Sequence, residues 1–551
     1  MAGRTVAEKH TAHQDTFCAD HMPSGEALPA IFHHLPEYQY SERLNAAAEL
    51  LDRRIEAGDG ERTVFHCDSG TWSYRRLYET ANRIANLLVE DLGLIPGNRV
   101  LLRGPNHAML AACWFAVLKA GGVAVTTAHL LRCRELVAVA DKAEISLALC
   151  DARHAKECRE AFSRHVDRRP RVGAQVLVFN DDGKDSLNEL LRSKPAAFKN
   201  SETAADDVAI VAFTSGSTGQ PKGTMHTHRD LLAAADCFPR YILRPNRDDV
   251  FIGTPPLAFT YALGGLLLFP MRVGASSALL EQSSPKHLLE GIARHQASVC
   301  FTAPTAYRAM LKELRPRQIA SLHKCVSAGE ALPLATYEAW QETTRLKIID
   351  GIGSTEMLHM FISAPEEKIR PGAIGKPIYG YEAKVVRSDG SEAAADEPGR
   401  LAVRGITGCK YLDNPAEQAK YVQNGWNFSG DSFRVDQDGY YWFQARTDDL
   451  IISSGYNISG IEVESVLLEH PAVRECAVIG VPDSERGNLV KAFIVASPDR
   501  QPDDHLKKEL QDFVKAQIAP FKYPRAIEFL SALPRTATGK LQRFELRERG
   551  K

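Results

Sequence analysis

A run of hydroxyl and glycine residues directly behind an apolar stretch is the part of this sequence best suited to chemistry. The run reads Thr214, Ser215, Gly216, Ser217, Thr218, Gly219, Gln220, Pro221, Lys222 and Gly223. Small residues after a buried strand let successive backbone N–H groups turn toward an anion, and the lysine adds a positive charge. The run therefore predicts a loop that grips the phosphates of a nucleotide.

The spacing within this run excludes the P-loop class of nucleotide-binding proteins. A Walker loop places four residues between its first glycine and a Gly-Lys-Ser/Thr triplet, and Gly216 and Lys222 do not fit that spacing. A flexible Ser/Gly linker between domains is the alternative. Linkers seldom follow a core-like strand such as residues 208–213 or end in Pro-Lys-Gly, so we favour the phosphate loop.

Alternating helix and strand patterns surround the loop and predict the sheets that position it. Residues 77–88 carry apolar side chains at helical spacing, and residues 108–119 resemble a helix between the short apolar strands 100–102 and 123–125. This rhythm predicts a largely parallel, helix-covered sheet. Residues 383–443 instead hold short strands between Asp-Gly and Pro-Gly turns, which predict an antiparallel β subdomain.

A new unit begins after residue 448, with a helix near residues 461–469, two strands and a second helix near residues 506–518. This order predicts a small α+β domain. A chain of 551 residues is also too long for one ordinary domain. We predict an α/β fold with a large N-terminal domain over residues 1–447 and a small, mobile C-terminal domain over residues 448–551.

The bulk composition limits the classes of partner. Lys plus Arg number 67 against 69 Asp plus Glu, so the formal charge of -2 creates no field that draws nucleic acid or anionic lipid. The eleven cysteines are scattered without a Cys-x-x-Cys pair, which favours a reducing cytoplasm. Residues 1–20 lack the apolar core of a signal peptide, and the apolar stretch 261–269 is too short to cross a bilayer. We expect a cytoplasmic protein that binds neither nucleic acid nor membrane.

Four further motifs follow the loop along the chain. They are Gly353-Ser354-Thr355-Glu356, Ser429-Gly430-Asp431, Arg446-Thr447-Asp448-Asp449 and Pro534-Arg535-Thr536-Ala537-Thr538-Gly539-Lys540. Together with the loop, and in this order, they resemble the motifs of adenylate-forming enzymes, the superfamily of acyl- and aryl-CoA synthetases. The similarity extends from about residue 45 to the carboxyl terminus, and ordered motifs over such a span are more specific than any one alone.

The resemblance implies that a carboxylate is activated by transfer to AMP. A carboxylate is a poor electrophile because its negative charge repels nucleophiles and oxide is a poor leaving group. Attack of the carboxylate on the α-phosphorus of ATP removes both obstacles. The loop from Thr214 to Lys222 suits the β- and γ-phosphates, Thr355 suits the α-phosphate, and Glu356 is the expected Mg²⁺ carboxylate. A solvated loop acid is the alternative for Glu356.

The remaining motifs are implied to hold the ribose and to complete the site. Asp431 would accept hydrogen bonds from the ribose hydroxyls with help from Arg446, although both also suit a turn, and Ala445 stands where the family usually has Gly. Lys540 matches the lysine that stabilises the charge developing during adenylation. A solvated terminal lysine is the alternative. Asp448 matches the hinge about which the small domain rotates.

The segments 259–264, 327–330 and 350–360 resemble those of benzoate-CoA and 2-aminobenzoate-CoA ligases. Small residues with one aromatic and one imidazole suit a planar ring better than a flexible tail, although Tyr261 and His359 also suit ordinary core positions. His359 offers a donor and an acceptor to an ortho-amino or hydroxyl group. By motif position, the acid pocket comprises Thr260, Tyr261, Ala328, Gly353, His359 and Met360, and the adenine side comprises Gly329, Glu330 and Asp350.

Two half-reactions must share this pocket, which first excludes water around ATP and then admits a thiol. The resemblance implies that the small domain rotates between them and that Lys540 withdraws in the second conformation. Gly455 and Tyr456 then line the channel for the pantetheine arm, where a glycine permits close approach.

The pair His226 and His228 suggests a metal site only at first sight. No third ligand cluster stands nearby in the sequence. Solvated or capping histidines are therefore the favoured interpretation.

These features predict an aromatic acid:CoA ligase that uses ATP, Mg²⁺ and coenzyme A. It forms an aroyl-adenylate and pyrophosphate, then an aroyl thioester and AMP, with benzoate or 2-aminobenzoate as the expected acid. One alternative is a stand-alone enzyme that loads an acyl carrier protein, because the channel admits the same thiol arm. Another is a non-catalytic regulator that binds an acyl-adenylate, against which intact Glu356, Asp431, Arg446 and Lys540 argue.

Overall fold

The computed structural model describes residues 10–168, 175–215, 221–330, 332, 334–387, 389–446, 450–498, 500–534 and 543–550. Helices cover both faces of its large sheets, which confirms the predicted α/β class. The α-helices are Phe17–Asp20, Arg53–Glu56, Tyr74–Asn86, Ala108–Lys119, Cys133–Lys142, Ala155–Arg168, Leu187–Leu190, His228–Phe238, Thr260–Ala262, Phe269–Val273, Pro285–His295, Pro304–Glu313, Leu334–Thr344, Pro415–Tyr421, Gly460–Leu467, Asp504–Gln517 and Arg543–Gly550.

The helix Tyr74–Asn86 shows how local sequence sets an element. The side chain of Ser73 accepts a hydrogen bond from the backbone N–H of Arg76 at 3.1 Å and so caps the first turn. Leu77 and Ile84 lie on the buried face, at the helical spacing that the sequence predicts. A π-helical turn, Leu87–Asp91, extends the helix before the chain turns at Gly93, whose φ is +64°.

The first large sheet has six strands and is parallel except at one edge. The strand Arg99–Gly104 is buried along its whole length, as expected where helices cover both faces. The phosphate-loop residues 216–220 fall between the last two strands and lie outside the described residues. In spatial order the strands are Gln175–Phe179, Leu147–Asp151, Arg99–Gly104, Val123–Ala128, Val208–Ser215 and Pro221–Thr227.

The second large sheet has nine strands, of which the central six are parallel. Parallel strands bring their carboxyl ends to one edge, the usual place for a ligand in such sheets. In register, Phe301 pairs with Gly253 and Thr302 pairs with Ser327, so the residues after these strands lie side by side. In spatial order the strands are Lys376–Pro377, Met360–Ser363, Ile348–Gly353, Lys324–Ser327, Val299–Thr302, Val250–Gly253, Ser276–Ala278, Thr63–Cys67 and Gly70–Ser73.

A five-stranded antiparallel sheet follows, as the turn-rich sequence predicts. The strand Trp426–Val435 pairs with three of the others and carries Asp431. This β subdomain therefore holds the residue that the sequence assigns to the ribose. Its strands are Tyr381–Val386, Gly399–Gly405, Val422–Gln423, Trp426–Val435 and Tyr441–Arg446.

The carboxyl-terminal part has its own hydrophobic core, which includes Ile451, Ile494 and Val514. The helices Gly460–Leu467 and Asp504–Gln517 pack with a three-stranded and a two-stranded sheet, giving the predicted α+β texture. Residues 447–449 lie outside the described residues, so the boundary at residue 448 and the hinge at Asp448 stay predictions. The strands are Leu450–Ser453, Tyr456–Ser459, Val473–Asp483, Gly487–Ala496 and Ala526–Phe529.

Two features relate to the predicted compartment of the protein: the state of its cysteines and the length of its apolar helices. All eleven cysteines are buried free thiols. Across the described ranges, no helix is long and apolar enough to cross a membrane.

Candidate active site

A cavity of about 740 Å³ lies where strand ends of both large sheets face the carboxyl-terminal part. Ala128 and Thr214 come from the six-stranded sheet, and Ala303 and Ala328 follow strands of the nine-stranded sheet. The cavity thus sits at the edge that the parallel topology favours for a ligand. The predicted site residues that line it are Thr214, Thr260, Tyr261, Ala328, Gly329, Gly353, Thr355, His359, Met360, Gly455 and Tyr456.

Tyr261 and His359 meet at the end of the cavity assigned to the acid. The Tyr261 hydroxyl lies 3.3 Å from the carbonyl oxygen of Thr302 and 3.2 Å from that of Val326, and donates toward them. His359 Nε2 lies 3.3 Å from the Tyr261 carbonyl oxygen, which can only accept, so Nε2 carries the proton. Burial lowers the pKa of His359 to about 3, and the ring is therefore neutral.

The other ring nitrogen of His359 has no such partner. Nδ1 is buried and makes no hydrogen bond with the described part of the chain. In the tautomer set by Nε2, Nδ1 is an acceptor. His359 thus makes one hydrogen bond inside the core and also lines the cavity, and its contact with the acid stays a prediction.

Three phenylalanines that no sequence motif singles out form the wall behind His359. The Phe269 ring lies edge-on to His359 with centroids 4.5 Å apart, Phe238 lies 5.7 Å from it, and Phe301 lies 5.7 Å from Tyr261. A Cβ at Gly264 would stand 2.3 Å from His359 Cδ2, so only glycine admits the ring there. The Gly-Gly pair inside an apolar run was the available signal of close packing.

On the nucleotide side, Lys222 is already paired. Its Nζ lies 2.5 Å from Glu417 Oε2, and the two side chains are only 14% and 17% exposed. Burial alone would raise the pKa of Glu417, but its bonds to Lys222 and Lys420 lower it overall. Residues 216–220 and the side chain of Ser215 lie outside the described residues, so the contacts of the phosphate loop stay predictions.

Glu356 follows Thr355, which lines the cavity, and takes a hydrogen bond from a residue that the sequence did not reveal. The Tyr411 hydroxyl donates to Glu356 Oε1 at 2.7 Å. This bond orients the carboxylate and engages only one of its two oxygens. Carboxylate oxygens are the ligands that Mg²⁺ prefers, so the donor set at Glu356 fits a magnesium ion.

The histidine pair near the loop is structural, although not in the predicted way. His226 Nε2 donates to the carbonyl oxygen of Thr355 at 2.8 Å, and His228 Nδ1 accepts from the backbone N–H of Ala46 at 3.1 Å. Both rings are buried, so the solvated role is wrong, and the helix cap beside them is Thr227. Among the described residues there is no group of three or more metal-ligating side chains.

Glu330 and Asp350, the two acids expected near adenine, lie in different surroundings. Glu330 takes two long hydrogen bonds of 3.4 Å from Thr305, and burial raises its pKa. Asp350 lines a separate, small pocket, and burial raises its pKa to about 7. Its Oδ1 makes no geometrically good hydrogen bond within the described chain. Neither acid is among the residues that line the cavity, but Glu330 contacts the lining residue Thr305, and Asp350 interacts with Ser327, the neighbour of the lining residue Ala328. The adenine-side roles of Glu330 and Asp350 stay predictions.

Asp431 and Arg446 are brought together by the β subdomain. They are directly opposite each other on neighbouring antiparallel strands, and Asp431 is buried. The side chain of Arg446 and the whole of Lys540 lie outside the described residues. The ribose role of the pair and the catalytic role of Lys540 therefore stay predictions.

The Gly455–Tyr456 turn closes the cavity from the carboxyl-terminal part. Gly455 has a φ of +80°, and a Cβ there would stand 3.5 Å from Ala303 Cβ. The Tyr456 ring stacks on Phe521 with centroids 4.0 Å apart and meets the edge of Phe259 at 6.3 Å. In this orientation the turn predicted for the pantetheine channel faces the large domain.

Comparisons with known proteins identify the family of this chain. The model of the AMP-binding enzyme family matches residues 51–410, and that of the AMP-binding enzyme C-terminal domain matches residues 462–540. A benzoate–CoA ligase of Thauera aromatica is 37% identical over 93% of this chain and 97% of that protein. These matches cover both parts of the chain.

Two solved structures of CoA ligases have folds similar to that of this chain. The anthranilate CoA ligase AuaEII, in complex with anthranoyl-AMP, has a TM-score of 0.72 and 33% identity, covering 94% of this chain and 99% of that chain. A benzoate CoA ligase from Burkholderia xenovorans LB400 has a TM-score of 0.69 and 32% identity, covering 91% and 99%. This chain therefore belongs to the AMP-binding enzyme family, as an AMP-forming acid–thiol ligase of the benzoate-CoA and 2-aminobenzoate-CoA ligase branch.

Proposed function

We propose that this protein is an aromatic carboxylate:CoA ligase whose preferred acid is 2-aminobenzoate, with benzoate as a second substrate. The observation that carries the proposal is the acid end of the cavity, where the neutral ring of His359 and the ring of Tyr261 line the wall and buried phenylalanines pack behind them. Such a slot favours a planar ring over a flexible tail, because flat apolar faces pack on it without ordering many rotatable bonds. The buried thiols are compatible with a reaction in the cytoplasm.

In the first half-reaction the carboxylate of the acid attacks the α-phosphorus of ATP, and pyrophosphate leaves. Thr214 and Thr355, which line the cavity, lie where hydroxyl groups can orient phosphate oxygens. Lys222 exchanges its ion pair with Glu417 for the terminal phosphates, and Lys540 stabilises the charge that develops at the α-phosphate. Glu356, oriented by Tyr411, would hold Mg²⁺, which would supply positive charge to offset that of the phosphates.

In the second half-reaction the thiol of CoA attacks the carbonyl carbon of the aroyl-adenylate, and AMP leaves. The Gly455–Tyr456 turn and the start of the helix Pro304–Glu313 form the walls along which the thiol arm approaches. Further along this helix, Arg308 and Lys312 also line the cavity, and Lys312 is about 12 Å from Pro304 at 1.5 Å per residue. The helix thus leads from the reacting centre to a basic outer end.

The basic outer end supports free CoA as the thiol donor. Arg308 Nη2 is buried without a hydrogen-bond partner in the described part of the chain, and Arg486 also lines the cavity. Guanidinium groups suit phosphate oxygens, which CoA carries at the far end of its pantetheine arm. An acyl carrier protein has only a single phosphodiester at this end of the pantetheine arm and offers the basic residues fewer phosphate oxygens. The carrier protein is therefore the second candidate for the thiol donor.

Arg308→Gln should raise the KM for CoA about tenfold, the size expected for one lost charged hydrogen bond. The same variant should leave the KM for pantetheine, which has no phosphates, unchanged. Arg317→Gln, at an exposed position beyond the same helix, serves as the matched control. Steady-state AMP release with each thiol gives the answer, and an equal loss with CoA and pantetheine would rule out the phosphate contact.

The choice of 2-aminobenzoate rests on the unused acceptor of His359. An ortho-amino group donates hydrogen bonds, and His359, a residue of the cavity wall, has in Nδ1 a buried acceptor with no partner in the described part of the chain. Benzoate fills the same slot but leaves that nitrogen unsatisfied. Because a buried acceptor without a partner costs free energy, the ligand that donates a hydrogen bond to it, 2-aminobenzoate, is favoured over benzoate.

His359→Leu should therefore lower the preference for 2-aminobenzoate over benzoate by about fivefold to tenfold, the worth of one net hydrogen bond. The leucine keeps an apolar wall against Phe269. The check is the ratio of kcat/KM values for the two acids in wild type and variant. A ratio that does not change would contradict the role given to His359, whatever happens to the absolute rates.

Trapping with hydroxylamine measures activation of the acid by itself and separates the ligase from a non-catalytic regulator that binds acyl-adenylates. Hydroxylamine captures an activated carboxylate as a hydroxamate without need of any thiol. Wild-type protein incubated with ATP, Mg²⁺ and 2-aminobenzoate should accumulate the hydroxamate. No hydroxamate from a panel of aromatic and aliphatic acids would support the regulator, and a preference for fatty acids would overturn the aromatic slot.

A further inference from the structure

A buried ion cluster joins the carboxyl-terminal part to the helix Cys133–Lys142. Lys522 Nζ lies 2.5 Å from Glu135 Oε1 and 2.8 Å from Glu462 Oε1. Lys522 is only 5% exposed, and the backbone N–H of Ala519 donates to Glu135 Oε2 at 2.9 Å. We call Glu135, Glu462 and Lys522 the Lys522 cluster.

The Lys522 cluster spans the two parts of the chain. Glu135 belongs to the large domain, whereas Glu462 and Lys522 lie in the carboxyl-terminal part. Burial lowers the pKa of Lys522, but its two carboxylates more than offset this and raise it overall, so the ammonium stays charged. Burial also raises the pKa of Glu462. A buried charge that loses a partner is costly, so the cluster favours the docked orientation that completes it.

The docked orientation is the one that shapes the thiol channel. All three residues of the Lys522 cluster line the same cavity as Gly455 and Tyr456. Phe521, the neighbour of Lys522, stacks on the Tyr456 ring. Anchoring Lys522 on Glu135 therefore also fixes the aromatic pair that forms the channel wall.

Other polar contacts across this boundary are weaker. The ion pair between Arg134 and Glu469 is 47% exposed on both sides, and Lys312 lies 4.0 Å from Glu485 with both side chains mostly exposed. Exposed pairs contribute little because water screens them. The Lys522 cluster is thus the dominant polar contact in this part of the described boundary.

We propose that the Lys522 cluster is a latch that holds the small domain in the orientation for thioester formation, with Glu135 as a positioning residue for that half-reaction. The proposal rests on the two-step reaction proposed above. Rotating the small domain for adenylation carries Lys522 away from Glu135 and opens the latch. Glu135 and Lys522 therefore set how the small domain divides its time between the two orientations and touch no reacting atom.

The latch is tested by measuring the two half-reactions separately in the full-length protein. Pyrophosphate release is followed with ATP, Mg²⁺ and 2-aminobenzoate in the absence of CoA. Thioester formation is followed in single turnovers with supplied 2-aminobenzoyl-AMP and CoA. Glu135→Gln keeps the size of the side chain and an acceptor for the N–H of Arg132, which Glu135 caps at 2.9 Å. Glu469→Gln, which breaks only the exposed pair, is the matched control.

Glu135→Gln should slow thioester formation about tenfold, the size of a typical coupling between two states, with pyrophosphate release unchanged. Lys522→Met should do the same, and combining the two substitutions should add little, because each removes the same interaction. Glu469→Gln should leave both half-reactions unchanged. Unchanged pyrophosphate release also shows that each variant is folded.

Two results would overturn the latch alone. The first is an equal loss in both half-reactions, and the second is full additivity of Glu135→Gln and Lys522→Met in thioester formation. Wild-type protein that fails to make a thioester from supplied 2-aminobenzoyl-AMP would instead overturn the proposed function, and the latch with it.

Discussion

Replacing Lys540 by alanine should slow pyrophosphate release by about 10²–10³-fold, the loss expected when one charge-stabilising group is removed from a transition state. The lysine is assigned to the transition state of attack at the α-phosphorus, and displacement at phosphorus occurs only in the first half-reaction. Supplied 2-aminobenzoyl-AMP should therefore react with CoA at close to the wild-type rate. Quenched-flow measurement of both half-reactions checks the expectation.

The control for this experiment is Lys508→Ala, which removes an exposed lysine from the helix Asp504–Gln517 of the same part of the chain. It should change neither half-reaction. An equal loss in both half-reactions of Lys540→Ala would contradict its assignment to adenylation. Such a loss would indicate a lysine that supports the fold or the aroyl-adenylate pocket in general.

Glu356→Gln should reduce adenylation about a hundredfold at ordinary magnesium concentration, because an amide is a far weaker ligand than a carboxylate for a hard cation. Raising the magnesium concentration should recover part of the lost rate. Chelating the metal should abolish adenylation in wild type. The measurement is pyrophosphate release as a function of magnesium concentration at fixed ATP.

Tyr411→Phe provides the graded comparison, because it removes the hydrogen bond to Glu356 Oε1 and keeps the carboxylate. Loss of an orienting partner typically costs about 10–100-fold in metal affinity or activity, so its magnesium curve should lie between those of wild type and Glu356→Gln. A Glu356→Gln curve that keeps the wild-type magnesium dependence would place the metal elsewhere.

The sequence predicted most of the fold because its signals are local. The spacing of Leu77 and Ile84 marks a helix face, and the apolar run at residues 100–102 marks a buried strand, whatever the rest of the chain does. Ordered motifs then named a family whose fold is known. The residues that line the cavity, such as Thr260 and Gly353, followed from their motif positions.

The rest of the site depends on contacts between residues far apart in the chain. Tyr411 meets Glu356 across 55 positions, and Glu417 meets Lys222 across 195. Nothing in either local sequence distinguishes these side chains from surface tyrosines and acids. The same holds for Phe269 behind His359, which the sequence shows only as one residue of an apolar run.

The Lys522 cluster is the clearest case of a feature hidden from the sequence. Glu135 and Lys522 are 387 positions apart, and each lies in a stretch whose charges suggest an ordinary solvated helix or loop. Only docking of the small domain buries them together. Interactions that exist in one orientation of two domains leave no periodicity in either domain's sequence.

We expect the acid to form an adenylate before it is transferred to the sulfur of CoA. Transfer of ¹⁸O from the acid to AMP tests this order of steps most directly. When 2-aminobenzoate carrying ¹⁸O in both carboxylate positions reacts with ATP, Mg²⁺ and CoA, one labelled oxygen becomes the bridge to phosphorus. Thiolysis at the carbonyl carbon leaves that oxygen on the nucleotide. Mass spectrometry should find one ¹⁸O in each AMP and one in each thioester. Unlabelled AMP, or label in inorganic phosphate, would contradict the account.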